Sequence, residues 1–183
     1  MSTKTIVKAL GGPLCYHFFR SHRRMKWKTI TEKPIADIRE FVATAAREGN
    51  RLVHIGTDSL QGRRNTQFVT VLVILEPGKG GRVAYHRQMV PRIASLRERL
   101  LKEVWLSVTL ALEINDVLPA SAPLTVHIDA NPVATHRSSL YVQELVGMVV
   151  GQGFKAAIKP EAWAATHTAD YVVRALGRAT RVA

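Results

Sequence analysis

The hydrophobic period of this chain switches from strand to helix at residue 95, and that switch limits the fold more than any other feature. From residue 51 up to it the chain is written in strands. "RLVHIGTDS" at 51–59 is apolar and β-branched, and "RRNTQFVTVLVILEPGKGGRVAYHRQMVPR" at 63–92 holds two more such runs about a "PGKGG" turn. A Gly-rich break between two β-branched runs reads as a hairpin. The short "LQGRRN" ties the first strand to it, so the three strands form an antiparallel meander. After residue 95, "SLRERLLKEVWLSVTLALEINDV" places Leu96, Leu100, Val104, Val108, Ala111 and Leu112 on one helical stripe. "PLTVHIDANP" then reads as a strand, "SSLYVQELVGMVVGQG" as a helix closed by glycines, "FKAAIK" as a short strand and "PEAWAATHTADYVVRALG" as a last helix, with Pro160 and Glu161 suited to its first turn. A leading helix over 34–48 carries Ile35, Ile38, Phe41, Val42 and Ala45 at helical spacing, with Pro34 at its start and Gly49 past its end. The order predicts an α/β fold: a mixed five-stranded sheet, an antiparallel meander followed by βαβα, with flanking helices.

With 183 residues the chain holds one domain with a real core. Its 26 Lys and Arg against 14 Asp and Glu, a formal charge of +12, favour a polyanionic partner, nucleic acid before membrane. Residues 1–31 hold seven Lys or Arg and no acid, and "HFFRSHRRMKWK" mixes bases with aromatics. Three readings fit this arm, residues 1–30: a grip on phosphates and bases, an organellar transit peptide, or a disordered extension without a role. Residues 31–183 form the folded domain. Cys15 is the only cysteine, which excludes an internal disulfide framework and a cysteine-based zinc ribbon and suits a reducing, cytoplasmic compartment. No apolar run approaches the ~18 residues of a membrane span, and no secretory signal is visible.

Two strands end alike. "VHIGTDS" and "VHIDANP" each drive Val-His-Ile toward an aspartate, Asp58 and Asp129. An aspartate at a strand end also caps turns. Two in matching positions of an α/β sheet, where sites lie at the carboxyl ends of parallel strands, point instead to convergent carboxylates. Such a pair calls for a cation, and hard oxygen ligands suit Mg²⁺ or Mn²⁺. On the long helix Ser95 and Glu98 fit a capping box, and Glu113 lies about 15 Å beyond Glu103. Glu103, at the edge of the apolar stripe, is preferred over Glu98 as the third acid. In the last helix Thr166, His167, Asp170 and Arg174 share a polar face, and the spacing of Asp170 and Arg174 fits equally a plain helix ion pair. His54 and His127 lie on the strand faces of Asp58 and Asp129 and read as packed or hydrogen-bonded core histidines.

This set resembles the ribonuclease H-like pattern: an acid on the first strand of a meander, one on the next helix, one ending the fourth strand and one on the last helix. The positions are Asp58, Glu103, Asp129 and Asp170, at separations of 45, 26 and 41. "VHIGTDS", "RLLKEVWLS", "HIDANP" and "GFKAAIKPEAWAATHTAD" resemble the YkuK-type family of ribonuclease H-like bacterial proteins, over residues 26–176. The resemblance implies a metal-dependent nuclease acting on RNA, RNA–DNA hybrid or structured DNA through a two-ion Mg²⁺ or Mn²⁺ site. Asp58 would bridge both ions, Glu103 and Asp129 would hold one, Asp170 would complete the other, and His167 would shuttle a proton. Arg63, Arg64, Arg97, Arg99, Lys102, Lys155 and Lys159 are then candidates to track a phosphate backbone. The alternative is a non-catalytic nucleic-acid-binding protein of the same fold.

Overall fold

The computed structural model describes residues 26–47 and 49–164. Its described part is a mixed seven-stranded sheet with three α-helices. In chain order these are β1 (Trp27–Thr29), β2 (Pro34–Ile35), α1 (Ile38–Ala45), β3 (Leu52–Gln61), β4 (Asn65–Glu76), β5 (Gly80–Pro91), α2 (Leu96–Ile114), β6 (Leu124–His127), α3 (Val142–Val150) and β7 (Lys155–Ala157). The strands lie in the order β2-β1-β5-β4-β3-β6-β7. The meander β3-β4-β5 is antiparallel and pairs along its whole length, while β6 joins β3, and β7 joins β6, in parallel. The meander turns where Gly78 and Gly80 adopt φ of 77° and 100°, which a side chain at Cβ would disfavour.

Two strands exceed the five expected. Trp27–Thr29, inside the segment read as the basic arm, pairs with β5, and Pro34–Ile35 pairs with β1 at the sheet edge. Pro34 thus sits in an edge strand rather than in a helix, where its missing N–H costs no ladder bond. Asp37 caps α1 instead, accepting from the Arg39 N–H at 2.8 Å and the Glu40 N–H at 3.3 Å. Ser95 caps α2, accepting from the Glu98 N–H at 3.3 Å.

All three helices pack on one face of the sheet. Val53 and Ile55 of β3, Leu72 and Ile74 of β4, and Val126 of β6 meet Val104, Val108 and Ala111 of α2 and Leu145 and Val149 of α3. Alternation along each strand turns His54, Gly56 and Asp58 to the other face, together with Val69, Val71 and Val73, which are also buried. Pro160 and Glu161 lie in a turn, and helical backbone begins at Trp163. The chain stays extended beside β6 that far because the Ile128 N–H donates to the Ala157 carbonyl at 2.8 Å and the Lys159 N–H to the Ala130 carbonyl at 3.2 Å. The remainder of the helix expected over 160–177 lies outside the described residues.

Candidate functional site

The site follows from strand register. The last parallel pair between β3 and β6 is Gly56 with His127, and the last between β6 and β7 is His127 with Ala157. Two residues further along the chain stand Asp58, still within β3, and Asp129 and Lys159, just past the ends of β6 and β7. Carried past the last pairs, that register would make them one row. β3 continues to Gln61, paired there with β4 alone, so its β6-facing edge opens at Asp58. The Ser59 N–H at this opening donates to Asp58 Oδ1 at 2.7 Å. Across the row, Lys159 Nζ lies 2.6 Å from Asp129 Oδ1.

Glu103 reaches the same edge from α2. Thr57 and Ser59 of β3 meet Ser107 and Glu103 of α2: the Thr57 and Ser107 hydroxyls are 2.8 Å apart, and the Ser59 hydroxyl donates to Glu103 Oε1 at 2.6 Å. Two residues of strand, ~6.6 Å, match four residues of helix, ~6 Å, so the pairs stay in step. Arg99 Nη1 donates to the Ser59 hydroxyl at 3.2 Å, and the buried Arg99 Nε has no hydrogen-bond partner among the described residues. Glu103 is only 6% exposed. Burial, above all, pushes its carboxyl up to about 8; the Ser59 hydroxyl opposes this, the charges of Asp58 and Asp129 add to it, and Arg99 counters them. Glu103 is therefore neutral at pH 7 when no cation is near. Glu98 is exposed at the start of α2, away from this contact.

Behind the row, His54 Nδ1 and His127 Nε2 are 2.9 Å apart, and the Ala164 N–H donates to His127 Nδ1 at 3.2 Å. His127 therefore donates through Nε2 to His54. Burial, with the charge of His54, pulls His127 down to about 4, outweighing the Ala162 carbonyl, and burial with Lys155 lowers His54. Trp163 meets both rings edge-on, at centroid distances of 4.8 and 5.3 Å. His127 is a core residue, and the half-buried His54 is joined to it.

The basic candidates divide. Arg63, Arg64 and Lys155 are exposed, the first two in the turn between β3 and β4. Arg97 is held by Glu144 of α3, its Nε 3.0 Å from Oε2. Arg99 points inward to Ser59, Lys102 is partly buried, which lowers its pKa, and Lys159 is turned onto Asp129. Asp170 and His167 lie outside the described residues. Ser59, the inward Arg99, Trp163 and the Lys159–Asp129 pair escaped the sequence reading; only counting "FKAAIK" in register with "VHID" would have found the last.

The carboxyl oxygens of Asp58, Glu103 and Asp129 suit a hard divalent ion in kind, and a buried neutral Glu103 is a group that such an ion would ionise. As they stand, no group of three or more His, Cys, Asp or Glu among the described residues is arranged to hold a metal ion. Among those residues no helix is long and apolar enough to cross a membrane.

Comparison with known proteins gives the family. The chain is similar to "Uncharacterized protein YkuK" of Bacillus subtilis (strain 168), at 29% identity over 160 residues, covering 79% of this chain and 89% of that protein. Among solved structures it is similar to the protease–reverse transcriptase of prototype foamy virus, with a TM-score of 0.32 and 10% identity, over 72% of this chain and 20% of that one. This chain thus spans about a fifth of the viral polypeptide. The sequence pattern of the family described as Ribonuclease H-like matches residues 33–174, most of the chain, and the protein belongs to the ribonuclease H-like family.

Proposed function

We propose that this protein is a metal-dependent nuclease that hydrolyses phosphodiester bonds in RNA, RNA–DNA hybrid or structured DNA. One observation carries the reading: β3 and β6 pair in parallel up to Gly56 and His127, two residues before Asp58 and Asp129, and α2 buries Glu103 close enough to feel the charges of both aspartates. Asp58, Glu103 and Asp129, joined by Asp170, would hold Mg²⁺ or Mn²⁺. When bound, such ions activate water and stabilise charge on the leaving oxygen. Asp58 is the central acid, steadied by the Ser59 N–H. The Ser59 hydroxyl, itself held by Arg99, orients Glu103. His167 would carry a proton, and the exposed Arg63, Arg64 and Lys155 would guide the phosphate backbone without reading bases.

A second reading, a nucleic-acid-binding protein without turnover, is favoured by two features. No three metal-ligating side chains among the described residues are gathered, and Lys159 already neutralises Asp129. The test is cleavage of end-labelled single-stranded RNA, RNA–DNA hybrid, duplex DNA and branched DNA by the full chain with Mg²⁺ or Mn²⁺, beside Asp58→Asn and Asp129→Asn. Metal-dependent products that disappear in both variants are expected. Salt-sensitive binding without any cleavage would establish the second reading instead.

A further inference from the structure

The sheet face opposite the helices changes character just beyond Asp58. Residues that pair across antiparallel strands share a face. Asp58 pairs with Val69, and Val69 with Arg87; one step on, Leu60 pairs with Gln67, and Gln67 with Met89. The second row therefore lies on the face of Asp58, two residues or ~6.8 Å further along β3. Both ends of it are apolar and exposed, Leu60 by 53% and Met89 by 59%. A single apolar side chain on a surface is ordinary. Here two stand in one cross-strand row, ~10 Å apart at the usual strand spacing, with the partly buried Gln67 between them.

The stretches that carry this row are cationic. Residues 59–75 and 77–97 contain no Asp or Glu. Arg63 and Arg64 are exposed in the turn that follows β3. Arg92, also exposed, stands beside them, its N–H donating to the Arg64 carbonyl at 3.1 Å. The apolar row thus lies between three exposed arginines on one side and Asp58 on the other. An apolar row framed by cations fits a polyanion that also carries apolar faces. Bases paired in a duplex stack on one another and hide those faces. Unpaired bases can lie against a sheet while their phosphates stay free for arginine.

We propose that Leu60, Gln67 and Met89 form a shelf for unpaired bases, so that the strand reaching Asp58 is single-stranded nucleic acid. Leu60 and Met89 each cover a base face, the Gln67 amide meets base edges, and Arg63, Arg64 and Arg92 hold the phosphates. Contact of this kind tolerates any sequence, because every base has a face. The shelf names the substrate class of the preceding reading and rests on it only in taking Asp58 as part of the site; binding to the shelf does not require turnover.

The experiment is equilibrium binding of the full chain in EDTA, read by fluorescence anisotropy. The probes are end-labelled single-stranded RNA, single-stranded DNA and the blunt hybrid of the two. Wild type should bind either single strand about 10-fold tighter than the hybrid. Leu60→Ser/Met89→Ser should lose about 10-fold on the single strands and nothing on the hybrid, with unchanged salt dependence. Leu60→Phe/Met89→Phe should bind the single strands at least as tightly as wild type. Arg63→Gln/Arg64→Gln should weaken all three probes and reduce the log–log salt slope for single strands by about 1.4. Hybrid bound as tightly as single strands by wild type, undiminished single-strand binding by a folded serine variant, or no binding to any probe would each overturn the proposal. So would a lower sedimentation coefficient for the serine variant without nucleic acid, which would assign the row to a contact between copies of the chain. Circular dichroism melts check folding; if the serine variant does not fold, the wild-type preference and the phenylalanine variant decide. Single-strand preference without cleavage in Mg²⁺ or Mn²⁺ keeps the shelf and removes the nuclease. Metal-dependent cleavage by a chain without that preference does the reverse.

Discussion

Replacing Glu103 with glutamine should stabilise the metal-free protein, increasingly so as pH rises. Glu103 is buried, and its carboxyl is pushed from the usual 4.5 up to about 8, first by burial and then by the charges of Asp58 and Asp129, against the Ser59 hydrogen bond. Its folded value lies above its unfolded one. Below about pH 4.5 both states carry the proton and the group contributes no pH dependence. Between about 4.5 and about 8 the unfolded chain ionises while the folded chain does not, so stability falls with rising pH. The gap is about 3.5 pH units, and at ~1.36 kcal/mol per unit the loss levels off at about 5 kcal/mol once pH passes the folded value near 8. Glutamine keeps the shape of the protonated acid and an oxygen for the Ser59 hydroxyl, but cannot ionise. Urea denaturation in EDTA, followed by tryptophan fluorescence, gives the free energy of each protein from about pH 5 to about pH 8. Over that range the difference between Glu103→Gln and wild type should grow by about 4 kcal/mol. His127 titrates in both proteins and cancels in the comparison. A difference that stays constant across the range would refute the reasoning, because it would mean that Glu103 ionises alike in the folded and unfolded chains.

Two further outcomes follow from the core. Thr57→Val removes the hydroxyl that joins Thr70 at 3.0 Å to Ser107 at 2.8 Å, leaving buried hydroxyls short of a partner; it should cost about 1–3 kcal/mol in urea denaturation. His127, held down to about 4 chiefly by burial, should keep a neutral ring from pH 7 to about pH 5 in nuclear magnetic resonance spectra and titrate near 4; its contribution to stability, present above the unfolded value near 6.5, should be lost as pH falls through that window.

Much of the fold was legible in the sequence. The β-branched runs about "PGKGG" gave the meander, and the stripe from Leu96 to Leu112 gave α2. These are local signals, because alternation and helical period are set by the backbone within a few residues. β1 and β2 were not legible: three and two residues are too few to show a period, and their pairing depends on the edge that β5 presents.

The same division runs through the candidate site. The paired Val-His-Ile runs marked Asp58 and Asp129 as strand-end acids, and angular position on α2 favoured Glu103 over Glu98. Whether those acids meet, and what meets them, is a matter of register between strands far apart in the chain. A slip of one residue in β7 would have turned Lys159 to the helix-packed face. The observed register sets it 2.6 Å from Asp129. The burial that keeps Glu103 neutral arises from the packing of α2 on β3. Sequence by itself determined the longer elements and the chemical kinds of group at their ends. Tertiary structure alone decided which charges share an edge and in which protonation state, because electrostatic energy depends on distance and solvation, and the chain acquires both only when its strands pair.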